Sequence, residues 1–531
     1  MTWQRIIINK TMEDNMKAEL LWTSARSAVL EVKGCGYYEA EEAHKVYVNG
    51  ELSVETKKNI VTVGGLLPDT KYEITVCHKD ETDKLTVKTK DEYVTLDVKN
   101  FGAKGDGENN DTPAIQAAIM ACPKNGRVLV PAGVYKITPI FLKSDMTFEI
   151  AEGAELSAYT DRNMFPILPG QTICNDPEKE YLLGTWEGNP EDMFAAIVTG
   201  INLENVVITG KGTINGNASK ENWWENPKVR RIAWRPRMLF LNNCKNVTVH
   251  GITVKNSPSW NIHPYFCEDI HFYDINVLGP KDSPNTDGLD PESCKNVDII
   301  GVYFSVGDDC IAIKSGKIYM GAKYKKPSEN LYIHQCCMRD GHGSIVIGSE
   351  MAGGVKNLNV SECLFLHTDR GLRIKTRRGR GKDGVIDGIL FENIIMDHVL
   401  VPIVFNMFYF CDPDGHSEYV QSKELYPVDE RTPYLGKFEF KNIKATNCHA
   451  AAAYMYGLPE QKIGEVVFEN IDVSYAEDAE PFRAAMMDGV EDVKKIGIFA
   501  KNMKKLVLKN VNINGQEGEK IIAEGVEELV K

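Results

Sequence analysis

Four clusters of residues suited to acid–base and anion-binding chemistry lie between Ser283 and Lys375. They are Asn285-Thr286-Asp287, Gly307-Asp308-Asp309, Gly341-His342-Gly343 and Arg373-Ile374-Lys375. Asp287 and Asp308 are 21 residues apart, and His342 and Arg373 are 31 apart. Such distances fit the repeat length of a stacked coil. If each cluster sits on the same side of its coil, stacking at roughly 4.8 Å per coil brings them into one column. Three carboxylates, an imidazole and two cations would then line one groove. Cleaving a glycosidic bond requires an acid for the leaving oxygen and a base for water. In a single-displacement (inverting) site these carboxyls stand roughly 6.5–9.5 Å apart, a span that residues one or two coils apart can cover. Close carboxylates cannot all ionise cheaply, so one is expected to keep its proton.

Arg373 and Lys375 are at i and i+2, on one face of a strand. Two such cations suit a substrate carboxylate, which Arg can bind with two parallel hydrogen bonds. That points to a uronic acid rather than a neutral sugar. Arg377, Arg378, Arg380 and Lys382 extend the basic stretch. Asn285 and Gly343 are placed with substrate binding, Gly343 because glycine lets a backbone approach a ligand. Arg237, His263 and Tyr409 are candidates for neighbouring subsites. Neighbouring residues on a strand point to opposite faces, so Asp308 and Asp309 reach one groove only if the chain bends, which a bulge at Gly307 would allow. No second His or Cys has ligand spacing around His342, so no metal or cofactor is expected.

The elements that must position these residues follow from a repeat. Asn or Asp followed by apolar-x-apolar recurs from Asn205 through Asn246, Asp269, Asn296, Asn330 and Asn357, and continues at Gly388, Lys437, Glu465 and Lys505. Starts from Asn246 to Gly388 differ by 23, 27, 34, 27 and 31 residues. A constant strand with variable spacing describes coils with loops inserted on one side. Asn tolerates the left-handed backbone such turns need. The fold expected is all-β: a right-handed parallel β-helix over 93–531, preceded by a small β-sandwich over 1–92. Asp111-Thr112-Pro113 reads as a helix start, with Ile115, Ala118, Ile119 and Cys122 on one face, capping the solenoid. In the first unit, Asn49-Gly50 marks a hairpin. Leu67-Pro68-Asp69-Thr70-Lys71-Tyr72 resembles the tyrosine corner of a fibronectin type III domain, with Trp22 expected in its core.

From about Val98 onward the chain resembles glycoside hydrolase family 28, the polygalacturonases, on the four clusters in their order. Ile347-Gly348-Ser349-Glu350-Met351 and Thr376-Arg377-Arg378-Gly379-Arg380-Gly381 look like its bacterial exo-acting branch. The resemblance implies an inverting hydrolase with Asp308 as general acid, Asp287 and Asp309 as the base pair that positions water, and His342 hydrogen-bonded to an aspartate. It implies an acidic, pectin-derived galacturonate as the partner; with no signal-peptide core, short oligomers attacked from the non-reducing end are expected. The stretch Asp161–Asp192, the excursion Pro402–Pro433 and the N-terminal domain are candidates to close one end of the groove.

A calcium-dependent pectate lyase remains an alternative, because three aspartates can also hold a cation. A non-catalytic glycan-binding solenoid is another, as are endo-acting, rhamnogalacturonan and xylogalacturonan hydrolases. Bulk properties bound these readings. The 531 residues carry a net charge of −14, with 43% apolar and 26% charged residues. That charge argues against nucleic acid or an anionic membrane as partner. The 13 cysteines show no disulfide-framework spacing, and buried reduced thiols are expected at Cys244, Cys267, Cys294 and Cys363. No signal-peptide core follows the first residues, and the expectation is a cytoplasmic location.

Overall fold

The structure, a computed structural model, describes residues 16–171 and 182–531. The first ten residues, on which the location expectation rests, and residues 172–181 of the Asp161–Asp192 stretch lie outside the described residues. No described helix is long and apolar enough to cross a membrane. The chain divides into two units, Met1–Asp91 and Glu92–Lys531.

The first unit is two antiparallel sheets. One orders Lys17–Thr23, Ala28–Lys33 and Ile60–Val63; the other orders Glu51–Lys58, Glu39–Val48, Lys71–His78 and Glu81–Lys88. Their alternating inward residues, among them Leu30, Val32, Val46, Val61, Ile74 and Val76, form its core. Asn49 and Gly50 both take the left-handed backbone that a two-residue hairpin turn demands. The Tyr72 hydroxyl accepts a hydrogen bond from the Leu67 N–H at 2.8 Å. Trp22 departs from expectation. The register of its strand shifts between Leu20 and Trp22, which turns the indole away from the core. It is half-buried, with Lys90 Nζ 5.2 Å from its ring centre.

The second unit is the expected parallel β-helix. Its strands stack into three faces, each strand hydrogen-bonded in parallel to its equivalent one coil away. The strands of the repeated template all fall in the first face, with Val247, Ile270, Val297, Leu331, Leu358 and Ile389 in register. Two positions on, a continuous inward stack runs through Phe272, Ile299, Ile333, Val360, Phe391 and Phe440. These side chains are fully buried, and each contributes about 1.5–3 kcal/mol through loss of apolar surface to water. Cys244, Cys267, Cys294 and Cys363 are buried free thiols at coil starts. The Cys244 N–H points at Cys267 Sγ, 3.4 Å away.

The template asparagines explain why the chain turns where it does. Asn296, Asn330 and Asn357 have φ of 55°, 58° and 55°. Each amide donates to the side chain one coil earlier: Asn357 to Asn330 at 3.1 Å, Asn330 to Asn296 at 3.0 Å, and Asn296 to Asp269 at 2.9 Å. The helix Thr112–Ala121 takes the third-face place in the first coil. The Gln116 side chain binds both the N–H and the C=O of Phe141, each at 2.8 Å, closing the edge of that face.

Asn330→Ala removes two ladder bonds and leaves a Cβ residue in a left-handed turn. It is expected to lower stability by about 1–3 kcal/mol, read as a fall in the urea midpoint. Asn330→Gly, which restores backbone freedom but not the bonds, should lose less.

Candidate active site

The third face carries the chemistry. In it Ile262, Leu289, Ile311, Ile345, Leu372 and Ile403 lie in register on successive coils. Asp287 and Asp309 each precede this row by two residues, in the corner where the chain enters the face, and Gly343 holds the same place on the next coil. Stacking therefore brings together side chains far apart in sequence. Oxygens of Asp287, Asp308 and Asp309 all lie within 4.8 Å of one another. Arg373 and Lys375 project from Arg370–Lys375, two coils beyond Asp309. Lys375 Nζ is 2.7 Å from one Asp309 oxygen, and an Arg373 nitrogen is 3.5 Å from the other.

The two glycines act by close approach rather than by unusual backbone angles. A Cβ on Gly307 would stand 2.3 Å from the Ser283 carbonyl oxygen of the coil below. The expected bulge is not present. Asp308 and Asp309 sit in a bend between Tyr303–Ser305 and Ile311–Ile313, outside any strand, so strand alternation does not apply to them. A Cβ on Gly343 would come 3.3 Å from an Asp309 oxygen and 2.4 Å from Val346. Asn285 has φ 54°, and its side-chain oxygen accepts from Arg235 at 2.7 Å.

Charge divides unevenly over the three carboxyls. Burial alone would raise Asp309, but Lys375 and Arg373 hold it well below the ordinary carboxylate range. Asp308 is pushed up by burial and by the charge of Asp309. Asp287 is pushed well above its usual value by burial and by Asp290 and Asp308. His342 Nδ1 lies 2.9 Å from Asp369, which raises its pKa against the lowering effect of burial. The aspartate that His342 binds is thus Asp369, outside the four clusters. A cavity of about 420 Å³ opens beside His342, lined also by Lys281, Arg339, Asp340, His367 and Asp369.

Beneath the aspartates lies a second charged cluster that spacing did not reveal. Lys314 Nζ is buried 3.4 Å from Glu350, 3.5 Å from Asp290 and 3.7 Å from Asp287, with the Trp260 ring centre 4.3 Å away. Burial would lower its pKa, but these carboxylates hold the ammonium charged. Lys314 and Lys317 in turn bring Glu350 down to about 2 against burial. The available signals were one lysine closing the apolar strand Ile311–Ile313 and Asp290 three residues after Asp287. Asp287, Asp308 and Asp309 are close enough to share a divalent cation, but such an ion would have to displace the ammonium of Lys375 from Asp309.

Several expected substrate contacts are corrected. Arg378 is fully buried, with two nitrogens on Glu460 at 2.6 and 2.9 Å. Arg377 binds Asp412 at 3.1 Å and Asp414 at 2.6 Å, and Arg380 binds Asp412 at 2.6 Å. Lys382 pairs with Glu430 on the surface. The partners come from distant loops, so the three arginines of a basic run in sequence become anchors for other segments of the chain. Arg237 is fully buried between the rings of Trp186 and Trp260, and donates to the Arg235 and Thr185 carbonyls. His263 is also fully buried, 3.0 Å from Glu292. Burial keeps that imidazole neutral and pushes Glu292 up to about 8. Neither residue lines a groove. Tyr409 does stand at the cation pair, its ring centre 5.9 Å from Arg373 and 5.7 Å from Lys375.

Three segments wall this region. Trp186 stacks on Trp234 at 4.5 Å, and Lys317 links Glu187 at 3.9 Å to Asp412 of the excursion at 3.0 Å. From the third segment, the Ala484 and Arg483 carbonyls accept from Arg370, and Met486 Sδ lies 2.7 Å from Arg373.

Residues 125–487 match the model of glycosyl hydrolases family 28. The chain belongs to this family. It is a glycoside hydrolase. Residues 95–150 also match a model described as rhamnogalacturonase A/epimerase, pectate lyase-like. A probable polygalacturonase of Vitis vinifera is 29% identical over 74% of this chain and 77% of its own length. An endo-polygalacturonase of Pectobacterium parmentieri is 31% identical over 56% of this chain and 72% of its own. The crystal structure of a hyperthermoactive exopolygalacturonase from Thermotoga maritima superposes with a TM-score of 0.63 and 26% identity, covering 80% of this chain and 93% of that one. Family membership removes the non-catalytic solenoid from the readings.

Arg378→Met leaves Glu460 buried without its cation and is expected to cost about 3–5 kcal/mol. Arg378→Met combined with Glu460→Leu should recover most of that in the denaturation midpoint. A substrate-binding arginine would show the reverse: an unchanged midpoint and a raised KM.

Proposed function

We propose that the chain is an exo-acting polygalacturonase that removes galacturonate from the non-reducing end of oligogalacturonate with inversion. One observation carries the reading: three carboxyls of unequal acidity meet beside Arg373 and Lys375, with His342 and its cavity adjoining. Asp308, raised and the most exposed of the three, holds the proton that passes to the glycosidic oxygen as the C1–O bond breaks. Asp309, kept ionised by Lys375, accepts a proton from the water whose oxygen bonds to C1. Asp287, pushed up, retains a proton and fixes that water between itself and Asp309. This divides the base pair that the family resemblance implied. His342, charged through Asp369, stabilises the Asp308 carboxylate that remains.

The nearest-oxygen spacing, at most 4.8 Å, is shorter than expected for inversion and by distance alone favours a covalent intermediate. Burial weighs against it. Asp309 is fully buried and held at 2.7 Å by Lys375, so it reaches a water more readily than a sugar carbon. The exo reading is supported by the Glu187–Lys317–Asp412 link and by the contacts of residues 483–486 with Arg370 and Arg373, which bring loop segments to the catalytic face. The Tyr72–Leu67 bond supports a fibronectin type III-like first unit.

Defined oligogalacturonates hydrolysed in heavy-oxygen water should yield one-end trimming at early times, with the label in the new reducing end. The first-formed anomer, read by proton NMR, should be inverted. Random mid-chain cuts would refute exo action, an unlabelled unsaturated product would indicate a lyase, and a retained anomer would make a carboxylate the nucleophile.

Lys375→Met removes the cation nearest Asp309, so the folded-state pKa of Asp309 rises. A base with a depressed pKa stays ionised into acid, whereas a raised one takes up its proton sooner. The acidic limb of kcat/KM should therefore move to higher pH. A uniform fall at every pH would mean that Lys375 only binds substrate.

A further inference from the structure

The first unit contains a site that the hydrolase reading does not use. His44, on Glu39–Val48, and His78, at the end of Lys71–His78, face each other across an antiparallel pair in which Lys45 opposes Cys77. Both rings point inward at the end of the sandwich, with centroids 4.7 Å apart. His44 is wholly buried and His78 is 9% exposed. Cys35, in the turn after Ala28–Lys33, completes the group: its sulfur and one nitrogen of each ring lie within 4.8 Å of one another.

The surroundings fix the tautomer of His44. Asn59 Nδ2 donates to the Gly36 carbonyl at 2.9 Å, which orients the Asn59 amide. Its Oδ1 then faces His44 Nε2 at 3.2 Å. That nitrogen must carry the proton, and the Nδ1 lone pair is left unprotonated. Nδ1 of His44 and Nδ1 of His78 are buried and make no hydrogen bond among the described residues. A buried polar atom without a partner is costly, and two in rings 4.7 Å apart call for a common ligand. An oxygen acceptor holding the far side of a ligating imidazole is the usual outer support of a metal site.

We propose that Cys35, His44 and His78 bind one zinc-class divalent cation. A thiolate and two imidazoles suit zinc or cobalt(II) and disfavour calcium or magnesium. Metal–sulfur and metal–nitrogen bonds are about 2.3 Å and about 2.0–2.1 Å, so the three donors must draw together. Cys35 lies between Gly34 and Gly36, both at positive φ, in a turn able to follow. Binding replaces the Cys35 S–H bond with a sulfur–metal bond and releases that proton to solvent. A fourth position remains for water.

The test uses the full chain, stripped with chelator and titrated with zinc and then with cobalt(II). One zinc per chain is expected to survive dialysis. The cobalt form should show a thiolate-to-metal band in the near ultraviolet and visible bands of tetrahedral intensity. Cys35→Ser, in a partly exposed turn, should keep its fold by circular dichroism, lose the thiolate band and lose any rise in Tm on adding zinc. His78→Gln should lose the zinc. Asp308→Asn should keep it, which separates this site from the aspartate cluster. Wild-type protein that retains no zinc, or a Cys35→Ser variant that matches wild type in spectrum and stoichiometry, would overturn the proposal.

Discussion

The contact between Lys375 and Asp309 decides how the centre works. Two like charges 4 Å apart repel by about 4 kcal/mol at an effective dielectric near 20, so three adjoining carboxyls cannot all be ionised. Lys375 and Arg373 choose which one is, and its neighbours then keep their protons. Lys314 does the same one layer down for Asp290 and Glu350. The protonation pattern is thus written by two ammonium groups on different coils, and it holds only while those coils stay stacked. The apolar stack of the first face and the asparagine ladder maintain that stacking at a distance from the reacting atoms.

The loops complete what the coils begin. Residues 182–192, the excursion around Asp412 and the segment 483–488 reach the third face from different parts of the chain. They are tied down by ions as well as by packing: Lys317 joins two of them, and Arg377 and Arg380 anchor Asp412. The same arginines that look like a ligand patch in sequence therefore shape the groove from behind. Arg237 and the neutral His263–Glu292 pair are packed inside the coil, away from the groove surface.

Much of this was legible in the amino-acid sequence. The solenoid was, because a strand template with Asn at each turn has one economical reading, and the coil spacing then brought Asp287, Asp308 and Asp309 together. What escaped has a common cause. Asp369, Asp290, Lys314 and Arg235 act through partners one or more coils away; Lys314 and Asp290 left only weak local signals, and Asp369 and Arg235 look like surface charges along the chain. The misplacement of Arg377 and Arg378 has the same origin, since Asp412 and Glu460 lie in loops whose return path is not encoded by period. Trp22 was misjudged for a local reason, a single-residue register shift that inverts the side of the sheet it faces.

The asparagine ladder has a consequence for how such a chain can change over evolutionary time. Each rung sees only the rung before and after, so a whole turn of the spiral could be gained or lost near either terminus without disturbing distant parts. Between Asp287 and Lys375 that freedom disappears. One additional turn there would move acid and cation apart by roughly 4.8 Å, so the central turns must be inherited as an indivisible block while the ends remain free to lengthen.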